Sequence, residues 1–134
     1  DLTLKKISET YLRVFKKNNI NLTVEQFVIL QRIDRLGSDA SQRDIVETNF
    51  RNRATTSRVI SGLCKKQFVK KKRFKSDLKR YKLIITKQGY LELDKAKPHI
   101  EKLRDLSEKD ITKKDFNDLL LILEKIRNNY ESFD

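Results

Sequence analysis

The sequence predicts a mainly α-helical fold that carries one two-stranded β ribbon. Only three Gly and one Pro occur in 134 residues, which leaves few positions for turns. Apolar residues recur at spacings of three and four in several segments, and this spacing places them on one face of a helix. Between residues 68 and 85 the period changes to two, which is the spacing of a β-strand.

The composition indicates one folded, basic domain without catalytic or metal chemistry. A hydrophobic content of 37% is enough for a core, and 134 residues is the length of one typical domain. No apolar run approaches the roughly 18 residues of a membrane span, and no apolar leader opens the sequence, so we expect a cytoplasmic protein. One Cys and one His cannot supply a disulfide, a thiolate metal site or a catalytic triad, so we expect no enzyme and no cofactor.

Positive charge is concentrated in one third of the chain. Residues 41–86 hold fourteen Lys and Arg against three acidic residues, and so carry +11 of the formal net charge of +12. The forty residues before this basic segment sum to +2, and the forty-eight after it sum to −1. Such a concentration predicts a surface for a polyanion, most simply duplex DNA.

Two amphipathic helices are predicted before the basic segment. Thr23 and Gln26 form the pattern of a capping box at the start of the second helix, and Gly37 is a left-handed stop at its end. The first helix has an apolar stripe that consists of Leu4, Ile7, Tyr11, Val14 and Phe15.

The basic segment begins with two helices joined by a tight turn, which is typical of a helix-turn-helix. Ser41 starts a short helix that ends near Thr48, and residues 49–51 form the turn. Asn52 can cap a longer helix that runs from Arg53 to about Lys66.

The longer helix has an apolar side and a small, cationic side. The side predicted to face inward consists of Thr56, Val59, Ile60, Leu63 and, near the end, Gln67. The opposite side consists of Ala54, Thr55, Arg58, Gly62 and Lys65. Gly62, which costs about 1 kcal/mol in a helix interior, either permits close packing or is incidental. Small and cationic residues suit a close approach to a phosphate-lined groove.

A basic ribbon and two further helices complete the prediction. Residues 79–85 alternate, with Tyr81, Leu83 and Ile85 on one face, after a turn around Asp77. Thr86 caps the next helix, in which Pro98 predicts a kink or a break. Thr112 caps the last helix, which runs to about Tyr130 and has apolar residues on more than one stripe, so we expect a second subunit to cover it.

In this order the elements resemble the MarR-type family of bacterial and archaeal winged-helix transcription regulators. Three patterns carry the resemblance: LTVEQFVILQRI at 22–33, RNRATTSRVISGLCKKQFV at 51–69, and the ribbon, or wing, from Asp77 to ITKQG at 85–89. The resemblance implies a homodimer on a pseudo-palindromic operator. It also implies a single domain over 1–134, with a dimerisation helix in 1–22, a winged helix-turn-helix in 23–86, and a long helix and C-terminal dimerisation helix in 87–134.

The chain departs from the family pattern at three places. It has Asn49 and Phe50 where the family usually has Leu-Gly, and Gln67 where the family has Gly. The family's Arg two residues after the wing Asp is replaced by Lys79, with Arg80 next to it. Which of these two side chains would enter the minor groove is left open, because Arg is preferred in a narrow groove and neighbouring strand residues face opposite sides.

All candidate DNA-binding residues lie in the basic segment. They are Ser41, Gln42 and Arg43 at the first helix, Arg51, Asn52, Arg53, Thr55, Thr56, Arg58 and Lys65 around the second, and Lys72, Arg73, Lys75, Lys79 and Arg80 in the wing. The alternatives are simple helix capping, a solvated helix face, and edge-strand lysines that prevent aggregation.

Several other features have two interpretations. Cys64 is a redox switch or a small buried hydrophobe, and Asp44 with Glu47 is a metal-binding pair or part of a cap. Tyr11, Tyr81 and Tyr90 line a pocket for an unknown small-molecule effector, or simply pack in the core. For the whole protein, the alternatives to a sequence-specific regulator are an architectural DNA-binding protein without sequence preference and a protein-interaction module.

Overall fold

The computed structural model describes residues 1–49 and 52–133. The chain divides into two compact units, Asp1–Ile100 and Glu101–Asp134, and the boundary falls within a helix. The single domain expected over residues 1–134 stays a prediction.

The first unit contains a winged helix-turn-helix, so the predicted fold class is confirmed. Its elements are α1 (Leu2–Lys17), α2 (Val24–Leu36), a 3-10 turn (Gly37–Asp39), α3 (Gln42–Thr48), α4 (Arg53–Lys65), β1 (Val69–Arg73), β2 (Tyr81–Ile85) and the larger part of α5 (Lys87–Glu108). The second unit contains the end of α5 and α6 (Lys113–Glu131). None of the helices in the described part of the chain is long and apolar enough to cross a membrane.

The predicted helix starts are confirmed by their cap hydrogen bonds. The Thr23 hydroxyl accepts the Gln26 N–H at 3.0 Å, and the Gln26 side-chain oxygen accepts the Thr23 N–H at 3.1 Å. Thr112 forms the same reciprocal cap with Asp115 at the start of α6, while the side chains of Ser41 and Asn52 each accept one backbone N–H at the starts of α3 and α4. Local sequence signals therefore set where these helices begin.

One hydrophobic core holds the first unit together. Its most deeply buried side chains are Ile29, Leu30, Ile33, Ile45, Ile60, Leu63, Leu83 and Leu93. They come from α2, α3, α4, β2 and α5, so the core fixes the helix-turn-helix against the wing.

The wing is an antiparallel pair in which Val69 lies opposite Ile85 and Arg73 lies opposite Tyr81. β2 also contacts the segment before α3: the Leu83 N–H donates a hydrogen bond to the Ala40 carbonyl at 2.8 Å. The strand begins at Tyr81, two residues later than the alternating pattern predicts.

Two elements differ from expectation at single residues. The helix α5 continues through Pro98, so the break allowed by the sequence does not occur. Gln67 does not lie on the inward side of α4: it follows the helix with a φ of +61° and is exposed. Non-glycine residues rarely adopt this left-handed conformation, and a Gly normally ends a helix in this way.

The helix α6 of the second unit has no buried residue in the described part of the chain. Its large apolar side chains are about half exposed or more: Phe116, Leu119, Leu120, Leu121, Ile122, Leu123, Ile126 and Tyr130. In the first unit, α1 also exposes Leu2, Leu4, Ile7 and Leu12. Large exposed apolar side chains grouped on one helix are typical of interaction sites.

We predict that Gln67→Gly raises the free energy of unfolding by up to about 1 kcal/mol, because it removes the steric cost of a left-handed residue that has a Cβ. Urea unfolding measures the difference. The matched control is Gln67→Ala, which keeps the Cβ and should give no gain. Equal stability of the Gly and Ala variants would contradict the prediction.

Candidate nucleic-acid interface

The orientation of α4 is set by three side chains that are completely buried, Thr56, Ile60 and Leu63. Its first turn is capped by Asn52, whose side-chain oxygen accepts the Thr55 N–H at 2.8 Å. The buried stripe leaves the opposite face in solvent, as the amphipathic pattern predicts.

The exposed face of α4 carries Ala54, Arg58, Ser61 and Lys65, at helical spacings of three and four. Ser61 was not among the predicted residues, although its spacing from Arg58 and Lys65 places it on their face. Gly62, which was predicted for this face, is instead half-buried. A Cβ on Gly62 would lie 2.9 Å from the side-chain nitrogen of Gln26, so this position packs against α2.

The turn before α4 is tied down by a side-chain hydrogen bond. The Asn49 amide nitrogen donates to the Thr56 hydroxyl at 2.8 Å, and that hydroxyl donates to the Asn52 carbonyl at 3.1 Å. Asn49 is one of the residues at which the chain departs from the family pattern, and its side chain here bonds to α4. Phe50 and the predicted site residue Arg51 lie outside the described residues.

Two predicted site residues have their side chains in the interior. Ser41 is completely buried, because its hydroxyl caps α3 and its backbone pairs with Lys82 of β2. Thr56 is completely buried on the inward side of α4. Neither hydroxyl has solvent-accessible surface to offer a ligand, so both act in the fold.

Five predicted site residues meet around one cleft between α3, the start of α4 and the wing. The cleft has a volume of about 570 Å³, and these lining residues are Gln42, Arg43, Arg53, Lys79 and Arg80. Residues far apart in sequence thus form one cationic surface.

Two carboxylates pair with these cations, and one of them, Glu47, lines the same cleft. Glu47 lies 3.1 Å from the Arg43 guanidinium and 3.8 Å from that of Arg53, and Asp44 lies 3.6 Å from that of Arg80. Both carboxylates therefore form ion pairs with arginines, and these pairs orient the three arginine side chains. The pairs are exposed, so each contributes little stability, about 1 kcal/mol at most.

The arginines of the wing stack on aromatic rings. The Arg73 guanidinium lies 5.1 Å from the ring centre of Tyr81 and also donates to the Leu78 carbonyl. The Arg80 guanidinium lies 5.0 Å from the ring centre of Phe74. Such cation–π contacts hold the planar guanidinium groups against the ribbon.

The side chains of Lys79 and Arg80 at the wing tip differ in their contacts and exposure. The Asp77 side chain accepts the Lys79 N–H at 3.1 Å and its carbonyl accepts the Arg80 N–H at 3.1 Å, which explains the late start of β2. The Arg80 side chain is held between Asp44 and Phe74. The Lys79 side chain is exposed and forms no ion pair within residues 1–49 and 52–133.

The base of the wing is fixed by Thr86 and Gly89. The Thr86 hydroxyl donates to the Gln67 carbonyl at 2.6 Å and accepts the Gly89 N–H at 3.0 Å. A Cβ on Gly89 would overlap the Phe68 carbonyl oxygen, so only Gly fits there.

Cys64 and the three tyrosines have ordinary packing environments. Burial raises the pKa of the Cys64 thiol and the charge of Lys71 opposes this weakly, so the thiol stays protonated at neutral pH and is a poor nucleophile. Tyr11 packs near Phe15, Tyr81 lies under an arginine, and Tyr90 lies half-exposed near Ile33. An apolar hollow of about 260 Å³ lies elsewhere, and its described lining includes Leu12, Val24, Val28, Ile29 and Val59.

Several solved structures have the same fold at low sequence identity. S. aureus MepR, in a complex with DNA, aligns with a TM-score of 0.83 at 15% identity, over 96% of this chain and 93% of its own. Bordetella bronchiseptica BpsR, whose DNA binding is regulated by 6-hydroxynicotinic acid, aligns with a TM-score of 0.72 at 19% identity, over 93% and 90%. The organohalide-sensing transcriptional regulator RdhR, bound to 2,4-dichlorophenol, aligns with a TM-score of 0.81 at 18% identity, over 96% of this chain and 75% of its own.

Sequence comparison identifies the family of the helix-turn-helix segment. Among curated proteins, none matches the chain by sequence. The model of the MarR family matches residues 22–81, which run from two residues before α2 to the first residue of β2. The family and the similar structures are transcription regulators, not enzymes. Residues 22–81, which include α2, α3, α4 and β1, are therefore similar in sequence to the MarR family.

Proposed function

We propose that this protein is a cytoplasmic transcription regulator that binds a pseudo-palindromic DNA operator as a homodimer. The observation that carries the proposal is the opposed faces of α4: Ile60 and Leu63 are completely buried, while Arg58 is exposed on the other side. In this mechanism α4 enters the major groove, and the wing follows the backbone and the adjacent minor groove.

The proposed contacts divide into base readers and phosphate binders. Asn52, Thr55 and Arg58 lie in the first turns of α4, the end that usually contacts base edges. Phosphate binders would be Gln42, Arg43, Arg51, Arg53, Lys65, Lys72, Arg73, Lys75 and Arg80, with Lys79 at the wing tip. Ser41 and Thr56 are left out because they are buried.

We predict a strong salt dependence of DNA binding. If one dimer neutralises about six to ten phosphates, log affinity falls against log salt with a slope of about −5 to −9. Fluorescence anisotropy of a labelled duplex at several salt concentrations gives this slope. A slope near zero would contradict the proposal.

An architectural protein without sequence preference is the second candidate, and the concentration of charge favours it equally. Competition at fixed salt separates the two functions, because unlabelled random duplex displaces a non-specific protein as well as any other duplex does. If the protein binds all duplex sequences with equal affinity, the operator-binding proposal is wrong and the architectural function is favoured.

We predict that Lys79, and not Arg80, reaches the minor groove, since Arg80 is held by Asp44 and Phe74. Lys79→Ala removes one cation from each subunit, so it should weaken binding and reduce the magnitude of the dimer's salt slope by about two. Lys79→Arg should tighten binding to sites with A·T-rich flanks, because a guanidinium prefers a narrow groove.

Anisotropy titrations on duplexes with A·T-rich and G·C-rich flanks measure both effects. The charge-matched control is Lys17→Ala in α1, which lies outside the basic segment. A salt slope that Lys79→Ala leaves unchanged but Arg80→Ala reduces would give the minor-groove role to Arg80 instead.

The homodimer is supported by the apolar surface of α6, whose large side chains are about half exposed or more. A second copy of the chain would bury this surface, and burial of apolar area is the main driving force for stable association. The helix α1 exposes apolar residues of its own, which a second copy could also bury.

We predict that the double change Leu119→Glu and Leu123→Glu dissociates the dimer, because the two positions lie one turn apart on α6 and would place charges in an apolar interface. Sedimentation velocity measures the change. The control Asn128→Glu adds charge on the polar side of α6 and should leave the dimer intact. A double variant that sediments like the unchanged protein would contradict an α6 interface.

A further inference from the structure

Glu92, on α5, is a carboxylate whose side chain is only 11% exposed. It accepts the Asn21 backbone N–H at 2.5 Å and pairs with Lys95 at 3.1 Å. A buried charge is costly unless it is paired and hydrogen-bonded, so this arrangement fixes the loop between α1 and α2 on α5. Lys95 adds a second point, because its ammonium donates to the Asn19 carbonyl at 3.1 Å.

The other side of the Asn21 backbone is bound to the end of α4. The ammonium group of Lys66, the residue that follows α4, donates to the Asn21 carbonyl at 3.1 Å and to the Gln26 side-chain oxygen at 2.8 Å. One residue of the loop thus has its N–H bound by α5 and its carbonyl bound by the end of α4.

Gln26 extends this contact along α4. Its side chain is buried, its oxygen accepts from both Thr23 and Lys66, and its nitrogen lies 2.9 Å from the position that a Cβ on Gly62 would take. The glycine allows the amide to approach the helix, although Gly costs about 1 kcal/mol in a helix interior. The end of α4 is therefore held by polar contacts in addition to its apolar stripe.

We propose that Glu92 and Lys66 are positioning residues for DNA recognition, which act through the backbone of Asn21 to set the orientation of α4 relative to α5. This inference rests on the proposed function. Neither residue belongs to the proposed DNA contacts. A tilt of α4 would misplace the base readers and leave the charge of the surface almost unchanged. Sequence-specific affinity depends on that geometry, whereas non-specific affinity depends mainly on charge.

The ratio of specific to non-specific affinity therefore tests the proposal. The duplexes are one recovered by selection from a random pool and one of random sequence, titrated at the same salt concentration. Glu92→Ala and Lys66→Met should each lower the ratio about fivefold or more, as much as the loss of one base contact. The affinity for random duplex should fall in Lys66→Met no further than in a variant that loses another lysine, and it should not fall in Glu92→Ala, which removes a negative charge.

Two variants control for charge and folding. Lys17→Met removes one charge outside the network and should keep the ratio. Glu92→Gln keeps an acceptor for the Asn21 N–H and should restore most of the ratio that Glu92→Ala loses. If Glu92→Ala is too unstable to measure, Lys66→Met alone tests the positioning role, because Lys66 is partly exposed and its loss should disturb folding less.

The results separate this inference from the proposed function. If the wild-type protein binds the selected and random duplexes equally, both the proposed operator binding and the positioning role are contradicted. A specific wild-type protein whose ratio survives Lys66→Met and Glu92→Ala would remove only the positioning role. A ratio that falls equally in Lys17→Met would assign the effect to charge and also overturn the inference.

Discussion

The docking of α4 into the core is the constraint on which the rest of the structure depends. Thr56, Ile60 and Leu63 have no exposed surface, so the rotation of the helix about its axis is fixed. The opposite face, with Arg58 and Lys65, must then point to solvent. Because close-packed interiors tolerate little rearrangement, the cationic face is presented as a rigid surface.

The cations around this face are arranged by weak interactions. Arg43, Arg53 and Arg80 have carboxylate partners at 3.1 to 3.8 Å, and Arg73 and Arg80 stack on aromatic rings. Each exposed pair contributes about 1 kcal/mol or less, so a phosphate can displace the carboxylate at little cost. The acids orient the guanidinium groups before a ligand arrives, and they reduce the net attraction for any anion.

Most of the fold could be predicted because its signals are local. Capping residues such as Thr23, Ser41, Asn52 and Thr112 act within three residues of chain, and they gave the helix starts correctly. The errors occur where distant residues decide the outcome. Ser41 was expected at the surface, but pairing with Lys82 of the wing covers it. Gly62 was expected on the outer face, but Gln26 of α2 packs against it.

The network around Asn21 had no sequence signal, since Glu92 lies 71 residues away and Lys66 lies 45 residues away. The same holds for the cleft, whose lining comes from α3, α4 and the wing. A concentration of charge in the sequence predicts that a cationic surface exists. Only packing shows which cations are oriented by acids and which, like Lys79, are exposed at the wing tip.

In the proposed homodimer, two copies of α4 read DNA in a symmetric arrangement. Selection of bound duplexes from a random pool tests this symmetry. We expect a consensus with dyad symmetry and half-sites about one helical turn apart. A pool that remains random after repeated selection, or a consensus without a dyad, would contradict it.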